Sequence, residues 1–151
     1  AIRFWPGVKG RDGCRTPMVW EKDAPHAGFT TGTPWLPVKA PQAAKAVDQQ
    51  GADSVLEHYK AMIAYRKNSP ALTHGKTTFL SVPEPLLAFT RKADDQTLTC
   101  VFNLSATPQT VPLKAAAEVA TGAAVSLADG TLTLDGNGFA YLSHSATDTI
   151  M

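Results

Sequence analysis

The chain has 151 residues, 44% of them hydrophobic and 18% charged, with a formal net charge of +1. That length suits one domain with a real core, or a small domain plus a remnant, and the near-neutral balance leaves no electrostatic footprint for nucleic acid or an acidic membrane surface. No apolar run approaches the roughly 20 residues that span a bilayer.

The opening, Ala1-Ile2-Arg3-Phe4-Trp5-Pro6, has no initiator Met and no signal-peptide pattern. It begins like the middle of a domain, which points to truncation or processing. Residues 1 to about 50 are rich in Pro, Gly and Trp and hold no sustained period of 3.6 or 2. A stretch of that length without regular structure is usually functional, disordered or cut from a supporting context. Its aromatic content argues against disorder. Lys39 to Gln49 is Ala-, Lys- and Gln-rich and reads as a short helical turn or a surface linker.

The clearest helix spans about 53 to 68. Ser54 with Glu57 three residues on is a capping-box pattern. Val55, Leu56, Tyr59, Met62 and Ile63 follow at helical spacing, which makes one face apolar. Arg66 and Lys67 suit the negative end of the helix dipole, and Asn68-Ser69-Pro70 ends the run. The apolar stripe must pack on the rest of this chain or on a part of a parent protein that lies outside it.

From about residue 76 the pattern becomes β. Thr77 to Val82, Leu86 to Lys92 and Thr97 to Leu104 are candidate strands, the last two joined by Asp94-Asp95 as a hairpin. Gln109 to Leu113 is a weaker strand whose Pro112 marks an edge. Glu118 to Ala120, Ala124 to Leu127, Thr131 to Leu134 and Phe139 to His144 complete the series. Asp129-Gly130 and Asp135-Gly136-Asn137-Gly138 supply the turns. The spacing predicts an antiparallel β-sandwich of about seven or eight strands, with Phe89, Phe102, Phe139 and Tyr141 at core positions.

Chemistry-bearing residues are sparse. Cys14 and Cys100 lie far apart and read as two free thiols of a cytoplasmic protein. His26, His58, His74 and His144 show no metal-ligand spacing, and no Ser sits in a nucleophile motif. No phosphate-binding Gly-rich loop and no other cofactor motif is present. Asn103-Leu104-Ser105 matches a glycosylation sequon inside a strand, where the match carries little weight.

What remains is Gly10 to Trp20, which packs Arg11, Asp12, Cys14 and Arg15 ahead of Thr16-Pro17-Met18-Val19-Trp20. Gly13 relaxes the backbone before Arg15 and Pro17 stiffens it after. A guanidinium so presented grips carboxylates or vicinal hydroxyls, and Trp5, Trp20 and Trp35 are flat surfaces on which sugars stack. Equally, Arg11, Asp12 and Arg15 could form an ion-pair cluster that only staples the loop.

Phe4-Trp5-Pro6, Gly10 to Trp20, Gly28-Phe29 and Pro34-Trp35-Leu36-Pro37-Val38 resemble the loop after the eighth barrel strand of glycoside hydrolase family 13, in its α-glucosidase and oligo-1,6-glucosidase branch. Ser54-Val55-Leu56 and Tyr59, running to Arg66 and Ser69-Pro70-Ala71-Leu72, resemble the eighth barrel helix. Leu87-Ala88-Phe89-Thr90-Arg91 and Val101-Phe102-Asn103-Leu104-Ser105 resemble the family's C-terminal sandwich. The resemblance implies two domains. Residues 1–72 would be the last loop and helix of a (β/α)8 barrel, and residues 73–151 a β-sandwich.

It further implies a parent enzyme that cleaves α-glucosidic bonds in short malto- or isomalto-oligosaccharides with retention. The catalytic carboxylates would lie on earlier barrel strands outside this chain, so this piece would not turn over substrate. Its partners would be that N-terminal barrel and the oligosaccharide, with no nucleic acid, membrane, metal or cofactor. Substrate contact would fall to Arg15, with Arg11 as second candidate. Arg11 and Asp12 would support the loop, and Trp20 would pack beneath it. The alternatives are a non-catalytic carbohydrate-binding module, which should expose aromatics on the sandwich itself, and a purely structural module.

Overall fold

The computed structural model describes residues 14–94, 96–114 and 116–143. The chain divides into two compact units, one up to Met62 and one from Ile63 on.

In the first unit, turns and short helices do the work of regular elements. Pro25–Gly28 is a 3-10 turn, α1 covers Ala40–Ala43, and Val47–Gln49 is a second 3-10 turn. The helical turn expected within Lys39 to Gln49 is therefore present. His26 and Ala27 both take left-handed φ of 52°, followed by Gly28 at 70°. Such values are uncommon outside glycine. Here they turn the Ala27 carbonyl back to accept the N–H groups of Trp20 at 2.9 Å and Glu21 at 3.2 Å. The neighbouring stretch is tied down by Val47 N–H to Val19 O and Asp48 N–H to Trp20 O, both 3.1 Å. The Asp48 carboxylate then accepts the Lys22 N–H with both oxygens.

Helix α2 covers Val55–Lys67. The Ser54 hydroxyl accepts the Glu57 N–H at 3.2 Å, so the N-cap forms as read. In place of the reciprocal half of the box, the Ser54 N–H donates to Gly51 O at 3.0 Å and the Glu57 carboxylate takes Lys60 at 2.6 Å. Along the apolar stripe Leu56 and Met62 are half-buried, whereas Val55 (74%), Tyr59 (64%) and Ile63 (48%) stay exposed.

The second unit contains α3 (Pro70–Thr73) and six strands: β1 Lys76–Phe79, β2 Leu86–Ala93, β3 Gln96–Asn103, β4 Gln109–Pro112, β5 Glu118–Ala128 and β6 Thr131–Ser143. All pairings are antiparallel, in the order β1-β2-β3-β6-β4 with β5 on the other edge of β6. The chain is thus mostly β, as expected. Seven or eight strands become six among the described residues, because two pairs of short candidates fuse into β5 and β6. In β6, the turn-like Asp135-Gly136-Asn137-Gly138 is a bulge opposite Ala124 of β5, with Asn137 at φ 61° and Ala124 at φ 51°. Asp129 (φ 48°) and Gly130 (φ 70°) do form the tight turn between β5 and β6.

On one edge of β6, β3 and β4 lie end to end. The gap between them is closed by Asn103, only 2% exposed. Its side-chain NH2 donates to Thr107 O (2.7 Å) and Asp135 O (2.9 Å), with Leu134 O at 3.3 Å. Its side-chain oxygen accepts the Ser105 N–H and hydroxyl at 3.0 and 2.8 Å. The apparent sequon is therefore a corner joint with every polar atom engaged.

The two sheet faces differ in kind. Ala88, Val101 and Ala140 stand opposite one another in register and join Val111, Leu132, Leu134 and Leu142 in an aliphatic core. The other face carries the aromatic rings, which corrects the expected core placement of four of them: Phe89, Phe102, Phe139 and Tyr141 are only half-buried. Phe79, Phe89, Phe102, Phe139 and Tyr141 form a ladder with ring centroids 5.7–6.1 Å apart, and Tyr65 stacks on Tyr141 at 6.0 Å. These are offset and edge-on contacts that add to simple burial. Cys100 is wholly buried on that face, and burial pushes its thiol from 9.0 up to about 12, with Arg91 opposing.

Segment 69–73 is fastened to the sheet through polar bonds. Gln96 Oε1 accepts the Ser69 hydroxyl at 2.8 Å and the Ala71 N–H at 2.9 Å. Arg91 Nε donates to Ala71 O at 2.9 Å.

Candidate functional site

The backbone anchors of the first unit leave Arg15 at the surface. Pro17 is buried and fixes the segment two residues beyond it, while Arg15 itself is exposed. Its guanidinium carbon lies 5.9 Å from the ring centroid of Trp35, within the range of a cation–π contact. Trp35 is 77% exposed and sits between Pro34 and Leu36-Pro37. Pro34 and Pro37 stiffen the chain on either side of Trp35, and Pro17 stiffens it two residues after Arg15. Among the described residues no carboxylate pairs with Arg15.

The other site candidates separate. Arg11 and Asp12 lie outside the described residues, as does Trp5. Trp20 is bound through its backbone N–H and carbonyl, and its ring is 49% exposed. A cleft of about 440 Å3 lies nearby in the same unit, lined by Lys22, His26, Thr33, Pro34, Pro37 and Val38 among others.

From the sequence Trp35 reads as a flat surface, and the structure makes it the neighbour of Arg15. Twenty residues separate the two, and only the turns between them bring the ring under the guanidinium. Elsewhere, His74 meets Asp94 at 3.4 Å on the surface. Cys14 is exposed and Cys100 buried, both free. Among the described residues no cluster of three or more His, Cys, Asp or Glu could hold a metal, and no helix is long and apolar enough to cross a membrane.

Residues 2–75 match the family described as "Alpha amylase, catalytic domain", and residues 77–141 match "Maltogenic Amylase, C-terminal domain". The chain belongs to the α-amylase family. This α-amylase-family chain is 45% identical over 117 residues to a probable α-glucosidase of Rhizobium meliloti, covering 75% of the chain and 21% of that protein. It is 37% identical over 102 residues to an oligo-1,6-glucosidase of Bacillus cereus, covering 66% and 18%. The α-amylase-family likeness extends to solved structures. The α-glucosyl transfer enzyme XgtA superposes with a TM-score of 0.75 at 42% identity, over 94% of this chain and 28% of that one. The trehalulose synthase MutB of Pseudomonas mesoacidophila gives 0.69 at 28% identity, over 89% and 26%. The chain thus spans about a fifth of the length of the curated relatives it matches.

Proposed function

We propose that this chain is the C-terminal part of a longer cytoplasmic α-glucosidase that hydrolyses α-glucosidic bonds of short malto- or isomalto-oligosaccharides with retention. In this reading residues 1–72 supply the last loop and helix of a (β/α)8 barrel, and residues 73–151 supply a stabilising β-sandwich. Arg15 contacts the substrate, with Arg11 in second place, while Asp12 and Trp20 support the loop. The observation that carries the reading is Arg15 itself. It is an exposed guanidinium on a proline-stiffened loop, free of any described carboxylate partner, in the part of the chain that matches a catalytic domain.

The chemistry assigned to the longer enzyme needs two carboxyl groups about 5 Å apart across the scissile bond, one as nucleophile and one as general acid and base. That pair lies outside this chain in the proposal. The contribution of Arg15 is binding: two N–H groups of a planar guanidinium reach adjacent sugar hydroxyls and fix the ring.

The exposed stripe Val55, Tyr59 and Ile63 on α2 favours a second, structural contribution beside the first. Three large apolar side chains in a row on one helix face are what a helix presents when another part of the protein covers it.

The test combines an intact mass with an assay on an aryl α-glucoside. A protein of 16.0 kDa should be inactive. The longer enzyme should turn over, and its Arg15→Ala variant should show a raised KM. Clear turnover by the 16.0 kDa species would overturn the reading.

A further inference from the structure

We infer that Trp35 is a positioning residue for Arg15: its indole face holds the guanidinium in the orientation that meets the sugar. The inference rests on the substrate-binding reading of Arg15 given above.

Three observations converge. The guanidinium carbon is 5.9 Å from the ring centroid. The ring is 77% exposed in this chain, so no described residue buries it. Pro34 and Pro37 stiffen the chain on either side of Trp35, whose side chain has only two rotatable bonds. Its described contact with a charged group is the one with Arg15.

An arginine side chain has four rotatable bonds and loses much rotamer freedom when it binds a ligand. A planar ring against one face of the guanidinium removes part of that freedom beforehand. A cation–π contact is made through the ring's π-face and consumes none of the guanidinium N–H donors in a carboxylate hydrogen bond. Those are the donors that reach vicinal hydroxyls. A carboxylate in the place of Trp35 would anchor the arginine equally well but would consume those donors. Arg15 instead has an aromatic anchor and no described carboxylate partner.

The experiment has one arm on the 151-residue chain and one on the longer enzyme that carries it. In the chain, the δ-protons of Arg15 should show an upfield ring-current shift by NMR. Trp35→Leu should abolish it and Trp35→Phe should retain it. Arg15→Ala should move the Trp35 indole protons, which reads the same contact should Trp35→Leu fail to fold. In the enzyme, Trp35→Leu should raise KM for an aryl α-glucoside about two- to five-fold at unchanged kcat, the scale of an exposed cation–π contact. Trp35→Phe should restore KM, and Trp35→Leu should add nothing in an Arg15→Ala background.

Absence of the ring shift overturns the inference outright. A raised KM for Arg15→Ala with none for Trp35→Leu overturns the positioning role while leaving substrate contact intact. An unchanged KM for Arg15→Ala overturns substrate contact and the inference together.

Discussion

The side-chain amide of Asn103 donates to the main-chain oxygen of Asp135 at 2.9 Å, joining positions 32 residues apart where β3 ends and β6 bulges. The same NH2 group serves Thr107 O, and the side-chain oxygen serves Ser105. Removal of this side chain takes a donor from Asp135 O and Leu134 O and the acceptor from the Ser105 N–H, at a residue that is itself 2% exposed. Asn103→Ala should destabilise the protein by about 2 to 3 kcal/mol. Asn103→Asp should be no better, since a carboxylate cannot donate. Urea unfolding of the two variants checks both expectations.

Gly136 meets a backbone wall. A Cβ built on it would collide with the carbonyl group of Ala106, and neither backbone can move aside without opening the bulge. Gly136→Ala should therefore lower the urea midpoint clearly. Gly130→Ala, whose Cβ would meet open space, should cost only the strain of its φ of 70°. Comparing the two midpoints separates steric from conformational effects.

Cys100 and Cys14 should differ in reactivity by orders of magnitude. A thiol held near 12 is almost wholly protonated at pH 8, and this one is inaccessible besides. Brief iodoacetamide treatment of the native protein should add one label, at Cys14, with the second appearing only in denaturant. Intact mass spectrometry reads the count.

The same thiol sets an alkaline limit. Its folded value is raised from 9.0 to about 12, so the folded state holds the proton more tightly than the unfolded state does. Stability from this group is complete below pH 9 and declines as pH rises from there towards 12. Tyr65 and Tyr141 are raised in the same direction, by burial first, and add to the slope. Urea midpoints should fall between pH 9 and pH 10.5, and Cys100→Ala should flatten that fall.

Gln96 is the fastener of segment 69–73. Gln96→Ala removes the acceptor used by both the Ser69 hydroxyl and the Ala71 N–H. Hydrogen exchange at the Ala71 amide should accelerate at least ten-fold in the variant, while the central amides of β3 keep their protection.

What could be read in the sequence was what depends on near neighbours. Ser54 capping Glu57, Pro70 after the helix, the Asp129-Gly130 turn and the pairing of β2 with β3 as a hairpin are all short-range patterns, and each appears as read. The merging of four short strands into β5 and β6 was not legible. A Gly-Asn-Gly run has the same local chemistry as a turn or as a bulge, and only pairing with β5 decides between them. The burial of Asn103 depends likewise on Leu134 and Asp135. At the candidate site, Gly13 and Pro17 marked Arg15 from within its own loop. Trp35 lies 20 positions on, and no local pattern links the two.

The position of β6 in the sheet has a consequence for the order of assembly. This strand, Thr131–Ser143, is the last one described and the neighbour of β3, β4 and β5 alike. Neither β4 nor β5 has another strand partner among the described residues. During synthesis, the ribosome delivers β1, β2 and β3 as a self-sufficient meander, whereas β4 and β5 emerge with nothing to pair with. The sheet closes only when its spine arrives, so for that interval the nascent chain carries two bare strands and an open aliphatic face.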